Sequence, residues 1–221
     1  MHFDEAEKAK PIPAGAMMRV VSNKRITLNF KVEDVGPSGI SNIEVWSTQD
    51  CKTWKKHEVA PTAHSFVYDA EDEGIYGFTM LAHSGIGLGK EPPQPGDLPQ
   101  VWVLVDTTKP VVQMSDCTAT VKDKCHTITV QWKATDKNLG STPITLSYAE
   151  HEDGPWTPIA TRIENTGSYV WKPADRVPPK LLVRVEATDL AGNIGVAQTT
   201  KPLMLDPSMP NISILGVEGR E

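Results

Sequence analysis

ITLNFKVED, residues Ile26–Asp34, falls on ITVQWKATD, residues Ile128–Asp136, when the chain is slid along itself by about 100 residues. In both stretches every second residue is apolar: Ile26, Leu28 and Phe30 in one, Ile128, Val130 and Trp132 in the other. A period of two is the mark of a strand with one buried face. Moving outward, IEVWSTQDCKTW (Ile43–Trp54) meets ITLSYAEHEDGPW (Ile144–Trp156), each an alternating strand, a polar turn and a Trp that opens the next strand. Phe66-Val67-Tyr68 then falls on Tyr169-Val170-Trp171. The strand Tyr76–His83 and its loop SGIGLG fall on Leu182–Asp189 and LAGNIG. Both copies close with a strand, an Asp and a Pro, in VWVLVDTTKP (Val101–Pro110) and PLMLDPSMP (Pro202–Pro210).

Each copy thus holds about seven short strands at the spacing of a β-sandwich, and no sustained 3.6-residue apolar period interrupts them. The expected fold class is all-β, two tandem seven-stranded β-sandwiches. Residues 1–16 read as a leader or linker, 17–108 as the first domain and 109–207 as the second. Residues 208–221 form a tail in which Asn211–Ile214 stands where Val111–Met114 stands after the first copy. That tail reads either as the first strand of a third repeat or as a segment packing back on the second.

The 221 residues carry 22 Lys and Arg against 28 Asp and Glu, a net charge of -6, which argues against a nucleic-acid partner. No apolar run approaches the roughly 18 residues of a membrane span, and MHFDEAEKAK lacks a signal peptide's apolar core. Prolines mark the junctions KPIPAGAM, DTTKP and DPSMP, where a fixed φ favours semi-rigid angles over floppy tethers. One proline-dense segment, KEPPQPGDLPQ (Lys90–Gln100), is present only in the first copy. It reads either as a binding loop at the end of a sandwich or as an extended cover over a sheet edge or the neighbouring domain.

EDEGIYGF places Asp72, Gly74 and Tyr76 in the D-x-G-x-Y-x-C pattern of immunoglobulin strand F, with Phe78 where the second cysteine would stand. Trp46 stands where that fold has its core tryptophan. The first copy therefore resembles an immunoglobulin or fibronectin type III sandwich with apolar packing in place of the disulfide. ATDLAGNIG and DTTKP are similar to the D-x-A-G-N and D-T-T-x-P signatures of bacterial immunoglobulin-like repeats in large surface and secreted proteins. The resemblance implies an extracytoplasmic setting and implies no particular activity.

STQDCKTW (Ser47–Trp54) is similar to the Asp-box turn of sialidases and other β proteins, with Cys51 at the usual glycine, which implies a hairpin role with Trp54 plugging the core. Asp34, Asp106, Asp136, Asp189 and Asp206 recur at strand ends; calcium needs 6 to 8 oxygens, yet the D-x-D-x-D-G spacing is missing and Asp is also good turn chemistry. Six scattered histidines show no zinc spacing, and no G-x-S-x-G elbow accompanies them. Catalytic, cofactor and metal residues are accordingly expected to be none. Cys117 and Cys125 are a disulfide candidate across a hairpin, with three reduced thiols the competing reading. Among six tryptophans, Trp54, Trp132 and Trp156 repeat between copies and read as core, whereas Trp102 alternates with Val101 and Val103 and reads as an outward ligand platform. Asn211-Ile212-Ser213 is a glycosylation triplet that matters only in a glycosylating host. The functional expectation is a non-enzymatic structural or adhesion module of a larger extracytoplasmic bacterial protein, with a protein or polysaccharide partner. The alternative is a carbohydrate-binding accessory module of a secreted enzyme.

Overall fold

The computed structural model describes residues 16–33, 35–60, 62–122, 125–173, 177–205, 212–213 and 215–216, with backbone alone at Lys122 and Cys125. The chain divides into two units: one runs to Thr108 and includes Leu190–Asn193, and the other takes Lys109–Asp189 and the chain from Ile194 onward. Among the described residues there are fifteen strands and no helix.

In the first unit the strands are β1 (Met18–Val21), β2 (Arg25–Asn29), β3 (Ile40–Thr48), β4 (Lys55–Val59), β5 (Ser65–Asp69), β6 (Gly74–Ser84) and β7 (Val101–Val105). One sheet has the order β1-β7-β6-β3-β4, and β2 pairs with β5 in the other. Alternation turns one face of each strand inward. Ile26 of β2, Val45 of β3, Tyr76 and Phe78 of β6, and Val103 and Val105 of β7 form the core, with Phe66 and Tyr68 of β5 packed against it. Phe78 is 1% exposed and fills the cysteine position with an aromatic ring. Burying a side chain of that size contributes about 1.5–3 kcal/mol.

Trp46 is a correction to the sequence reading. Neighbouring residues on a strand face opposite sides of the sheet, and it is Val45 that enters the core. Trp46 lies half-buried on the outer face, where its Nε1 donates to Glu44 Oε2 at 2.9 Å.

The second unit comprises β8 (Val111–Lys122), β9 (Cys125–Thr135), β10 (Leu139–Ala149), β11 (Thr157–Ile163), β12 (Ser168–Trp171), β13 (Lys180–Asp189), β14 (Ile194–Gln198) and β15 (Leu203–Met204). Its sheets are β11-β10-β13-β14, with β15 also on β13, and β12-β9-β8. The core draws Ile128, Val130, Trp132 and Ala134 from β9, Ile144 and Leu146 from β10, and Leu181, Val183, Val185 and Ala187 from β13. Trp132 is the core tryptophan here: it is 3% exposed and donates to Asn165 Oδ1 at 3.0 Å. Trp54 and Trp156, read from the repeat as core, belong to neither core cluster and are half-buried instead. Trp156 lies under the Arg184 guanidinium, 4.3 Å from the ring centroid.

The first strands of the two units pair differently. β8 runs antiparallel to β9, whereas β1 runs parallel to the unit's last strand, β7. The tail falls largely outside the described residues, Asn211 and Ile214 included; Ile212 is 93% exposed.

Candidate functional site

Trp102, expected to face outward, is 3% exposed. Both faces of β7 are covered, since Val103 on the core side is 2% exposed. The cover on the outer side involves the proline-rich segment. Trp102 pairs with Gly77 of β6, and a Cβ at Gly77 would meet the buried Pro99 ring at 2.5 Å. Directly opposite residues share a face, so the Pro99 ring and the Trp102 indole occupy the same side of the sheet.

The segment before β7 is therefore pinned. Gly96 N donates to Cys51 O at 2.7 Å and Gln100 N to Phe78 O at 2.9 Å. Prolines cannot supply a ladder of donors, and a side chain takes over: Gln100 Oε1 accepts from Met80 N at 3.1 Å while its Nε2 donates to Met80 O at 3.3 Å. The extended-cover reading of KEPPQPGDLPQ fits the contacts at Gly96, Pro99 and Gln100. The sequence signal for it was the proline density itself, joined to a glutamine at the strand boundary.

The cysteine pair is also corrected. On the β8–β9 ladder Cys117 lies opposite Val130, and Cys125 lies opposite Lys122, five residues further along β8. At about 3.3 Å per residue this separates the two Cα atoms by roughly 16 Å, far beyond the roughly 7 Å a disulfide can span. Cys117 is a free thiol, pushed up to about 12 by burial and then by the neighbouring Asp116 carboxylate, so it is a poor nucleophile. Spacing in sequence gave no register, and the register decides this pair.

At one end of the first unit a cleft of about 400 Å³ is lined by Ser47, Asp50, Lys55, Tyr68, Asp72 and Tyr76 among others. Ser47, Thr48, Asp50, Thr53 and Tyr76 are engaged by the fold. The Asp-box turn binds Asp50 Oδ1 to the amides of Lys52 (2.8 Å) and Thr53 (2.7 Å), and Thr48 Oγ1 to the amide of Cys51 (2.9 Å). The Thr53 and Lys52 amides hold the Asp50 carboxyl below the usual carboxylate range. Cys51 takes φ of 59°, the left-handed conformation that explains glycine at this turn position, and is 1% exposed. Trp54 leaves Nε1 buried without a partner and belongs to neither core cluster, so it does not plug the core.

Across the cleft Tyr76 donates from its hydroxyl to Asp72 O at 2.8 Å and accepts from Asp72 N at 3.3 Å, closing the tyrosine corner read from EDEGIYGF. Ser47 and His57 Nε2 are 2.9 Å apart. Burial, and then the Lys55 charge, lower the His57 pKa. These groups hold a turn, a corner and a strand pair together.

One cluster was missed by sequence reasoning. On the outer face, Glu44 is 7% exposed and receives Lys56 Nζ at 2.8 Å, Trp46 Nε1 at 2.9 Å and Asn42 Nδ2 at 3.1 Å. The Lys56 ammonium outweighs burial and lowers the Glu44 pKa, while Glu44 raises that of Lys56. The alternation N-x-E-x-W on one strand, opposite K-x-E on the next, was the available signal.

Of the acidic positions, Asp34 and Asp206 lie outside the described residues. Asp106 accepts from the Thr108 amide at 3.1 Å. In the second unit Asp136 and Asp189 bring carboxylate oxygens within 4.8 Å of one another, and Asp136 caps the Asn138 amide at 2.6 Å.

Comparison with known proteins places the architecture. No protein-family model and no curated protein matches the chain. Among solved structures, the fibronectin(III)-like modules of CbhA from Clostridium thermocellum are 16% identical with a TM-score of 0.51, over 91% of this chain and 97% of that one. The FN1–FN3 domains of chicken CNTN1 are 17% identical with a TM-score of 0.43, over 82% and 64%. A 1.5-MDa bacterial ice-binding adhesin is 14% identical with a TM-score of 0.39, over 83% and 60%. The fold is thus a tandem pair of fibronectin type III-like β-sandwiches.

Proposed function

We propose that the chain is a non-enzymatic structural and adhesion module of a larger extracytoplasmic protein. The observation that carries this reading is the fate of Trp102. The residue best suited to stack on a sugar is 3% exposed, on the same side of the sheet as Pro99 of the one segment suited to act as a binding loop. Aromatic sugar platforms need an open ring face. At the cleft, Asp50 and Tyr76 are likewise spent on the Asp-box turn and the tyrosine corner. Likeness to the CbhA fibronectin(III)-like modules adds a precedent for two such sandwiches in tandem.

The test is a glycan-array and polysaccharide pull-down screen of the purified chain, with and without calcium. The expected result is no saturable binding under either condition. Saturable binding to one polysaccharide class overturns the reading in favour of a carbohydrate-binding accessory module.

A further inference from the structure

We propose that the outer face of the first unit around Gly77 is a recognition site for proline-rich extended segments. The strap of residues 90–100 is its resident occupant, and a like segment of a partner protein is its ligand. The proposal rests on the adhesion reading and deepens it by naming the class of partner.

The strap shows what the face selects. Gly77 of β6 stands in one row of the sheet with Thr48 of β3 on one side and Trp102 of β7 on the other. Having no side chain, it leaves a notch between them. An added Cβ would stand 2.5 Å from Pro99 Cγ, 2.9 Å from Pro99 Cβ and 3.1 Å from Thr48 Cγ2, so a side chain at position 77 and the Pro99 ring exclude each other. Residues two apart on a strand share a face, and Thr79 with its cross-strand partner Trp46 therefore continues the same floor. Thr79 is 9% exposed, and its Oγ1 is buried without a partner. Proline suits this notch: its ring is a rigid apolar plug, and it brings no N–H that would need an acceptor there. The residue after it then bonds the sheet, as Gln100 N does to Phe78 O at 2.9 Å.

The strap is held at few points. Pro99 is buried, Pro92 and Pro93 are half-buried, and Glu91 and residues 94–98 are exposed. Gly96 N to Cys51 O at 2.7 Å and the bonds of Gln100 to Phe78 and Met80 tie it to the unit. Its middle closes on itself, with Asp97 N donating to Gln94 O at 3.0 Å and Gln94 N to Asp97 Oδ2 at 2.7 Å. Lifting the strap thus breaks the contacts of Gly96, Pro99 and Gln100 and leaves that turn intact. It bares the notch and the Trp102 indole. A proline-rich segment from another chain restores what is lost, a ring for the notch and an N–H for Phe78 O.

The experiment uses full-length chains and a synthetic peptide of residues 90–100, KEPPQPGDLPQ. One host carries Pro92→Ser, Pro93→Ser, Pro95→Ser, Pro99→Gly and Gln100→Ser, which release the strap. A milder host carries Pro99→Gly and Gln100→Ser alone and serves if the first does not fold. Calorimetric titration should give saturable binding to the hosts with a Kd below about 1 mM. The unsubstituted chain should bind at least about tenfold more weakly, because its own strap fills the notch in most molecules. A peptide with Pro99→Ala, which loses the ring, and one with Pro99→Val, which keeps apolar bulk and adds an N–H, should each bind about tenfold more weakly or worse. In the unsubstituted chain, excess peptide should speed hydrogen exchange at the Gly96 amide by holding the strap away.

No binding to a folded host, or unchanged Gly96 exchange in the unsubstituted chain, overturns the proposal. Equal binding of the Pro99→Val peptide overturns it as well, since the notch then takes any apolar side chain. So does equal affinity for hosts and unsubstituted chain, which puts the peptide elsewhere on the surface. None of these outcomes touches the module reading, which fails instead on saturable glycan binding.

Discussion

Beside β6 and β13, which match each other across the repeat, the same stretch of sheet is completed in two ways. In the second unit, β14 pairs with β13 from Arg184–Gln198 to Thr188–Ile194, so backbone amides and carbonyls do the work. In the first unit the stretch of β6 beyond Phe78 faces the proline-rich segment, and the Gln100 side chain supplies the donor and acceptor for Met80 that a strand would have supplied. The ends compensate in the opposite sense. The first unit follows its cover with five residues of β7, locked between β6 and β1, whereas the second follows β14 with the two residues of β15. The lesson is that a sheet edge can be satisfied by strand, side chain or ring.

The largest effect that would sharpen this contrast comes from the two buried indoles. Trp132→Ala and Trp102→Ala should each cost about 3–5 kcal/mol, the first in the core of the second unit and the second beneath the cover of the first. Denaturant unfolding checks them, with each substitution lowering the midpoint of its own unit. A loss under 1 kcal/mol for Trp102→Ala would mean that its ring is not packed, and would break the description of the cover.

Gln100→Ala should cost less, about 0.5–1.5 kcal/mol, because its two bonds to Met80 are exposed to competing water. The same measurement should show no change in the second unit, whose β14 makes its own ladder. Hydrogen exchange at the Met80 amide should speed up in this variant, and unchanged exchange would show that the side chain is dispensable.

The smallest effect is pH-dependent and arises in the first unit. His57 packs against Phe66 and Tyr68, at ring separations of 5.4 and 5.6 Å, where the second copy has Ile159 three residues after the matching Trp. Burial and Lys55 lower its pKa in the folded state. A base whose folded pKa is depressed contributes full stability above its unfolded pKa, ordinarily near 6.5, and loses it as pH falls through the lower folded value. The first unit should therefore weaken on the acid side of pH 6.5, and His57→Ile should flatten the response. Thermal melts from pH 8 to 5 read both.

Much of the fold was legible because strand periodicity is local. Ile128, Val130 and Trp132 alternate inward as their spacing requires, and Tyr76 closes a corner whose donor and acceptor lie only four residues apart. The Asp-box turn was legible for the same reason: Thr48 and Asp50 accept from amides within three residues. Alternation does not say which of two faces is covered, however. Trp46 and Trp102 were misassigned on that point, one expected inside and one expected outside. The Glu44 cluster was hidden because it joins three residues of β3 to a lysine on β4, a pairing that only register creates.

The sequence by itself determined the class of the protein: a repeat of about 100 residues, period-two apolar strands, and Asp, Gly and Pro at the turns. These follow from side-chain chemistry acting over a few residues. Tertiary structure alone decided that Cys117 and Cys125 stand opposite different partners, that Trp102 is sealed in, and that β1 runs parallel to β7. Each of these depends on which strand lies beside which and in what direction. Strand neighbours some 80 residues apart leave no trace in local spacing, because backbone hydrogen bonds are the same whatever residues make them.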